Sequence, residues 1–212
     1  MIPTKGITSS RIRRIKNDRD GKLWAGTSNG ISILDPLNGH DTLYQHHSSE
    51  KNSLSENDIN SIFFDETGSA WIGTNFGGLN FAQPHPIEFS NWQAGTGKNN
   101  LSNDAVSGIT EDKQGNLWIA THGGGLNYIN RKTEKVSYYN HDPKNPKSIG
   151  SINLSTVYKD SQGDIWAGTT GGGLNLFNQG SKTFTQYIFD PSNPGTPFAE
   201  IICILEDSKH RI

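Results

Sequence analysis

The chain has 212 residues, a formal net charge of −2 and a pI near 6.4, so it carries no electrostatic footprint for nucleic acid or for an anionic membrane surface. Hydrophobic content is low at 32%, Gly is frequent at 24 residues, and Asn, Ser and Thr are abundant, which disfavours helical packing and suits short strands joined by many turns. A single cysteine, Cys203, excludes an internal disulfide framework and a CxxC metal site.

No apolar run approaches the length of a transmembrane helix, and the start MIPTKGITSSRIRRI lacks the apolar core of a signal peptide. The basic stretch RIRRIK, at Arg11 to Lys16, falls in a predicted strand and reads as a solvated strand face. Four tryptophans, Trp24, Trp71, Trp118 and Trp166, then follow at intervals of 47, 47 and 48 residues. Around each lies a copy of one segment. The third, EDKQGNLWIATHGGGLNYIN, and the fourth, KDSQGDIWAGTTGGGLNLFN, agree at eleven of twenty positions. A period in the forties with Gly and Trp landmarks predicts stacked blades.

The repeats are expected at 6–47, 53–93, 100–141 and 148–189, with an incomplete fifth at 198–212. Apolar clusters separated by turn residues cut each repeat into four strands; in the third these are Val106 to Glu111, Leu117 to Thr121, Gly125 to Ile129 and Val136 to Tyr139. The predicted fold is all-β, a β-propeller of four four-stranded antiparallel blades plus the first strand of a fifth, as a fragment of a larger propeller.

The repeats also set the expected core. Each strand one has apolar residues twelve before the Trp position (Ile12, Ile59, Val106, Leu154, Ile201) and nine before it (Ile15, Ile62, Ile109, Val157, Ile204). Ten before it stand Ser61, Gly108, Thr156 and Cys203, small enough for a crowded centre; Arg14 breaks that column. The tryptophans are expected in the wedge between blades. An Asp six residues before each Trp (Asp18, Asp65, Asp112, Asp160) is expected to shape its own turn, with Gly re-entering the next strand. Asp207 carries the same phase, so the next Trp would fall after Ile212 and the chain is expected to be an excerpt of a longer one.

The turns between strands two and three and the linkers HHSSEKNSLSEND, GTGKNNLSND, DPKNPKSIGSIN and DPSNPGTPFAE open onto one face of such a blade array, where ligands dock. Residues differing between copies there are Ser28, Asn75, His122 and Thr170 in the turns, and Asp58, Asp104 and Asn153 at the linker ends. The candidate ligand-binding set is Asn75, Phe76, Trp92, His122, Asp58 and Asp104, with no catalytic residue, metal or cofactor expected. GTTGGG at Gly168 has the look of a phosphate loop but lies between strands, precedes no helix and lacks a following Lys.

The pattern I-x-x-I-x-x-D-x-x-G-x-[LI]-W-[IA]-[GA]-T-x-G-G-G-L-N, clearest in Val106 to Asn127 and Leu154 to Asn175, resembles the regulator-propeller repeats of hybrid two-component sensors of Bacteroidetes. The first repeat departs from it, with SNGIS in place of the Gly-rich turn. The resemblance implies a periplasmic, non-catalytic sensor module that responds to glycan-derived oligosaccharides and signals through downstream domains to a histidine kinase. An incomplete ring adds self-association through exposed blades, with no nucleic-acid partner and no direct membrane contact. The alternatives are a dimerisation scaffold without a ligand site and a propeller lyase. The lyase resembles streptogramin lyases, which share the D-x-x-G-x-[LI]-W rhythm but need clustered histidines; here only His122 occupies a suitable turn.

Overall fold

The computed structural model describes residues 11–83, 86–95, 100–188, 192 and 199–212. The expected repeat limits at 6, 189 and 198 lie outside these, as do His85 and most of the DPSNPGTPFAE linker.

Among the described residues there are strands and no helix. β1 (Ile12–Asn17), β2 (Leu23–Thr27), β3 (Gly30–Leu34) and β4 (Asp41–Tyr44) form one sheet in chain order, and β5 (Ile59–Phe64), β6 (Ala70–Thr74), β7 (Leu79–Ala82) and β8 (Phe89–Trp92) form the next. β9 (Val106–Glu111), β10 (Leu117–Thr121), β11 (Gly125–Asn130) and β12 (Lys135–Tyr139) make the third, and β13 (Leu154–Lys159), β14 (Ile165–Thr169), β15 (Leu174–Asn178) and β16 (Thr183–Tyr187) the fourth. These are the four antiparallel blades that the repeat predicts.

Two compact units result, Met1–Ala94 with Asp104–Val106, and Gly95–Asn103 with Ser107–Ile212. In the first, Trp24, Ile31 and Ile33 pack against Ile59, Ile62, Ala70, Ile72, Ala82 and Phe89. In the second, Trp118, Ala120 and Leu126 pack against Leu154, Val157, Ile165, Phe177 and Phe184. Second strands are buried on both faces, which is why LWAGT, AWIGT, LWIAT and IWAGT read as apolar runs and not as alternating patterns.

One Asp organises each first hairpin. In the second repeat Asp65 Oδ1 accepts the backbone N–H of Thr67 at 2.9 Å and of Ser69 at 3.0 Å, while Oδ2 accepts the indole N–H of Trp71 at 2.9 Å. Asp18, Asp112 and Asp160 hold Trp24, Trp118 and Trp166 in the same way, at 2.9, 3.3 and 2.8 Å. The carboxylate thus closes the turn and pins the ring of the strand that follows.

The core columns hold for Ile59, Ile62, Val106, Ile109, Leu154 and Val157, all buried. They fail at Ile12 and Ile15, which are 41% and 52% exposed. Strand one buries these positions against a neighbouring sheet, and no described residue supplies one to β1. The fifth repeat is also less regular than expected. Glu200 forms an isolated bridge with Thr170, the N–H of Ile201 reaches Thr169 O at 3.0 Å and Ile204 is buried, but residues 201–205 form no strand. In the other sheets strand one draws its ladder from strand two, and that partner is not among these residues. The Asp turn nevertheless closes: Asp207 Oδ1 accepts the N–H of Lys209 and of Arg211, and Arg211 Nε takes the place of the indole at 2.7 Å.

Candidate functional site

The turns between second and third strands are tied down by a Thr and completed by the next linker. Thr74 Oγ1 donates to Gly78 O at 2.9 Å and accepts from Gly77 N at 2.9 Å, and Thr121 and Thr169 make the same bond to Gly125 O and Gly173 O. Three of the linkers are each clamped by a fully buried Asn of strand three. Asn80 Oδ1 accepts from Ser55 N at 2.9 Å, Asn127 Oδ1 from Ser102 N at 2.9 Å and Asn175 Oδ1 from Gly150 N at 2.8 Å. The final Asn of GGGLN is therefore a structural residue that sequence reasoning passed over.

Strand one is bulged one residue past the linker. Register slips between Ile12 and Arg14, between Ile59 and Ser61, and between Leu154 and Thr156, leaving Arg13, Asn60 and Ser155 as the extra residues. A bulge re-aims a side chain. In the first unit it brings Arg13 and Asn60 together, with Arg13 Nη1 donating to Asn60 Oδ1 at 2.5 Å. Arg13 Nη2 lies 3.1 Å from Asp58 Oδ2, to which it donates, and 3.0 Å from Oδ1. Asn75 Nδ2 donates to Asp58 Oδ2 at 3.3 Å, and Asn60 Nδ2 closes the circuit on Asn75 Oδ1 at 3.4 Å. Four side chains thus form a ring of hydrogen bonds. Asp58 Oδ1 is buried and accepts no hydrogen bond, so the ion pair alone engages it.

Phe76 stands beside this ring with 72% of its surface exposed, held through its backbone N–H by Glu56 Oε2 at 2.7 Å. Three expected site residues, Asp58, Asn75 and Phe76, are thereby brought together. Arg13 and Asn60 were missed; RIRRIK is not wholly a solvated face, because Arg13 is half-buried and paired.

The other candidates are placed differently. Asp104 Oδ1 accepts from Ala94 N at 2.6 Å, the clamp that Asn57 makes to His46 N at 2.7 Å, so its carboxylate is spent on the linker. Trp92 is half-buried, its ring 5.5 Å from that of Trp71, and it extends the aromatic face of its sheet with Phe81. His122 is exposed in the β10–β11 turn of the second unit, bridged through its backbone to Asn153.

Two further clusters bear on chemistry. No group of three or more His, Cys, Asp or Glu among the described residues could hold a metal ion. Ser161 Oγ lies 2.5 Å from Glu206 Oε1 and 2.7 Å from His210 Nδ1, which is itself 3.0 Å from Oε1. All three meet through one imidazole nitrogen, whereas a nucleophile relay uses both, one toward the hydroxyl and one toward the carboxylate. The cluster ties two Asp turns together, and the Ser161 hydroxyl holds the Glu206 carboxyl below its ordinary range.

The family described as two component regulator propeller matches residues 6–29, 53–76, 100–123 and 148–171. These are two component regulator propeller repeats. Each regulator-propeller match runs from strand one through the Asp turn to the Thr-held turn, the parts that carry the bulge, the indole bond and the candidate face. Among solved structures, the chain is similar to the extracellular domain of a one component system of B. thetaiotaomicron, with 24% identity over 95% of this chain and 25% of that one and a TM-score of 0.74. It is also similar to the extracellular domain of a hybrid two component system of the same organism, with 24% identity over 87% of this chain and 26% of that one and a TM-score of 0.71. A streptogramin B lyase is 17% identical over 91% of this chain and 59% of its own, with a TM-score of 0.65. At these identities the likeness is one of fold. The chain spans about a quarter of the length of the two extracellular domains. No curated protein sequence matches. Among the described residues no helix is long and apolar enough to cross a membrane.

Proposed function

We propose that these regulator-propeller repeats are a non-catalytic, periplasmic sensor module that binds a glycan-derived oligosaccharide and passes its occupancy to a downstream histidine kinase. The observation that carries this reading is the ring Arg13–Asn60–Asn75–Asp58 beside exposed Phe76. A guanidinium, two amides and a carboxylate on rigid strand ends offer donors and acceptors at hydroxyl spacing, and an exposed phenyl ring supplies a surface for the C–H face of a sugar. Family membership of the repeats and the extracellular setting of the similar structures support the sensor role. Calorimetric titration with a panel of oligosaccharides tests it. Binding by the unaltered chain that falls at least tenfold in Phe76→Ala, with an unchanged melting temperature, is the expected result; no binding across the panel, or binding indifferent to Phe76 and Arg13, overturns it.

A second reading, a scaffold that assembles through its blades, is favoured by Ile12 and Ile15, which β1 leaves exposed where β5 and β13 bury their counterparts. Its occupant is another blade of the same repeat. Light scattering over a concentration series tests this: a species above 23.3 kDa that reverts to that mass in Ile15→Glu supports it, and a constant 23.3 kDa refutes self-association.

A further inference from the structure

The wedge between the two sheets of the first unit and the wedge between the two sheets of the second are built from equivalent positions and filled differently. In the second unit the space beside Trp118 is closed by rings. Tyr128 lies 4.8 Å away by centroid, Phe177 4.6 Å and Tyr139 5.7 Å, and Phe184 packs on Phe177 at 5.3 Å.

Strand register identifies the counterparts. Tyr128 pairs with Trp118 as Ile33 pairs with Trp24. Phe177 pairs with Phe184 as Ala82 pairs with Phe89, and with Ile165 as Ala82 pairs with Ala70. The first unit therefore has Ile in place of a phenol, Ala in place of a phenyl ring and Ala in place of an Ile. Phe64, which stands where the second unit has Lys159, returns part of the volume and meets Trp24 edge-on at 5.2 Å and 87°. The remainder is a cavity of about 690 Å³ with Trp24, Ile33, Tyr44, Phe64 and Ala82 on its walls and Lys22 also lining it. Ligand cavities run from about 300 to 1,000 Å³. Burial also pushes the Tyr44 hydroxyl above its ordinary range.

We infer that this cavity binds a small molecule built on one aromatic ring, with the ring seated where Phe177 sits in the second unit. The ring restores the dispersion contacts that the Ala and Ile replacements forfeit. Charge at the mouth is mixed, with the carboxylates of Asp18, Asp20 and Asp35 beside the cations of Arg19 and Lys22, so the lining selects the ring and not the sign of a substituent. The site is separate from the Phe76 face and does not rest on the sensor reading.

Phenylacetate is the probe, added to the 212-residue chain while the methyl resonances of Ile33 and Ala82 are followed by NMR and affinity is read by calorimetry. Saturable shifts of both methyls are expected. Ala82→Phe should lower affinity at least tenfold without lowering the melting temperature, since the second unit carries Phe at that place; Ile33→Tyr, filling the opposite wall, is the second variant. Methyls that do not move, or binding unchanged in both filled variants, overturn the inference. Phe76→Ala leaves phenylacetate binding unaltered, which keeps this site distinct from the proposed oligosaccharide face.

Discussion

The carboxylate of Asp65 accepts the indole N–H of Trp71 at 2.9 Å, six residues along the chain, with its other oxygen already spent on two backbone N–H groups of the turn. Removing it leaves a buried indole N–H and two turn donors without their acceptor. A buried donor left unpaired costs about 1–3 kcal/mol. Asp65→Ala is therefore expected to lose about 2–4 kcal/mol in urea unfolding. Asp65→Asn, which keeps one acceptor oxygen for the turn, should lose roughly half as much. Equal losses would show that the charge, not the bond count, matters.

Trp118 is buried among Tyr128, Tyr139 and Phe177, so its truncation leaves a cavity bounded by rings that hold one another in place. Trp118→Ala is expected to cost about 3–5 kcal/mol under any functional reading. A loss below about 1 kcal/mol in calorimetric or urea unfolding would mean that the wedge collapses freely.

Gly108 sits where a Cβ would fall 2.9 Å from Val157 N and 3.2 Å from Thr156 Cα, both backbone atoms of the neighbouring strand. Backbone cannot swing aside as a flexible side chain can. Gly108→Ala should cost about 1–3 kcal/mol through overpacking. Gly180→Ala, with nothing within 4 Å of the added carbon, is the matched control and should stay within about 0.5 kcal/mol.

The last Asp turn is acid-sensitive. Hydrogen bonds from the Arg211 side chain hold the Asp207 carboxyl below its ordinary value of 3.8. A carboxyl depressed in the folded state contributes stability above its unfolded pKa and loses it as pH falls through the folded one. The turn should therefore be intact from neutrality to about pH 4 and loosen only below 3.8. Amide exchange at Arg211, measured from pH 6 to pH 2.5, should accelerate beyond the intrinsic rate change in that lower window. Asp207→Ala should abolish the step.

Much of the fold was legible because it repeats. Trp and Asp recur with one spacing to each other and keep one physical role in all four copies, and the apolar residues of strand one keep theirs in the last three. The Gly-rich turns and the strand limits of the third repeat followed directly. What could not be read is what differs between copies or depends on register. Arg13 and Asn60 share a column with Ser107 and Ser155, yet only the bulge, which no local sequence signal marks, turns them toward Asp58 and Asn75. Asp104 stands one repeat on from Asn57, not from Asp58, and like Asn57 it holds a backbone N–H with its side chain. The exposure of Ile12 and Ile15 followed from neighbours, which a column of apolar residues cannot announce.

The Asn clamps reach 25 residues along the chain, from Asn80 to Ser55, from Asn127 to Ser102 and from Asn175 to Gly150. Contacts between successive first strands, such as Ser107 Oγ to Leu154 O at 2.7 Å, span 47. Loop closure costs entropy that grows only with the logarithm of such separations, and short separations fold fast. A blade that has just left the ribosome can thus secure its own linker before the next repeat is made, and then waits one repeat, not the whole chain, for its neighbour. Synthesis order becomes assembly order, and a pause after any linker would leave a finished blade behind it.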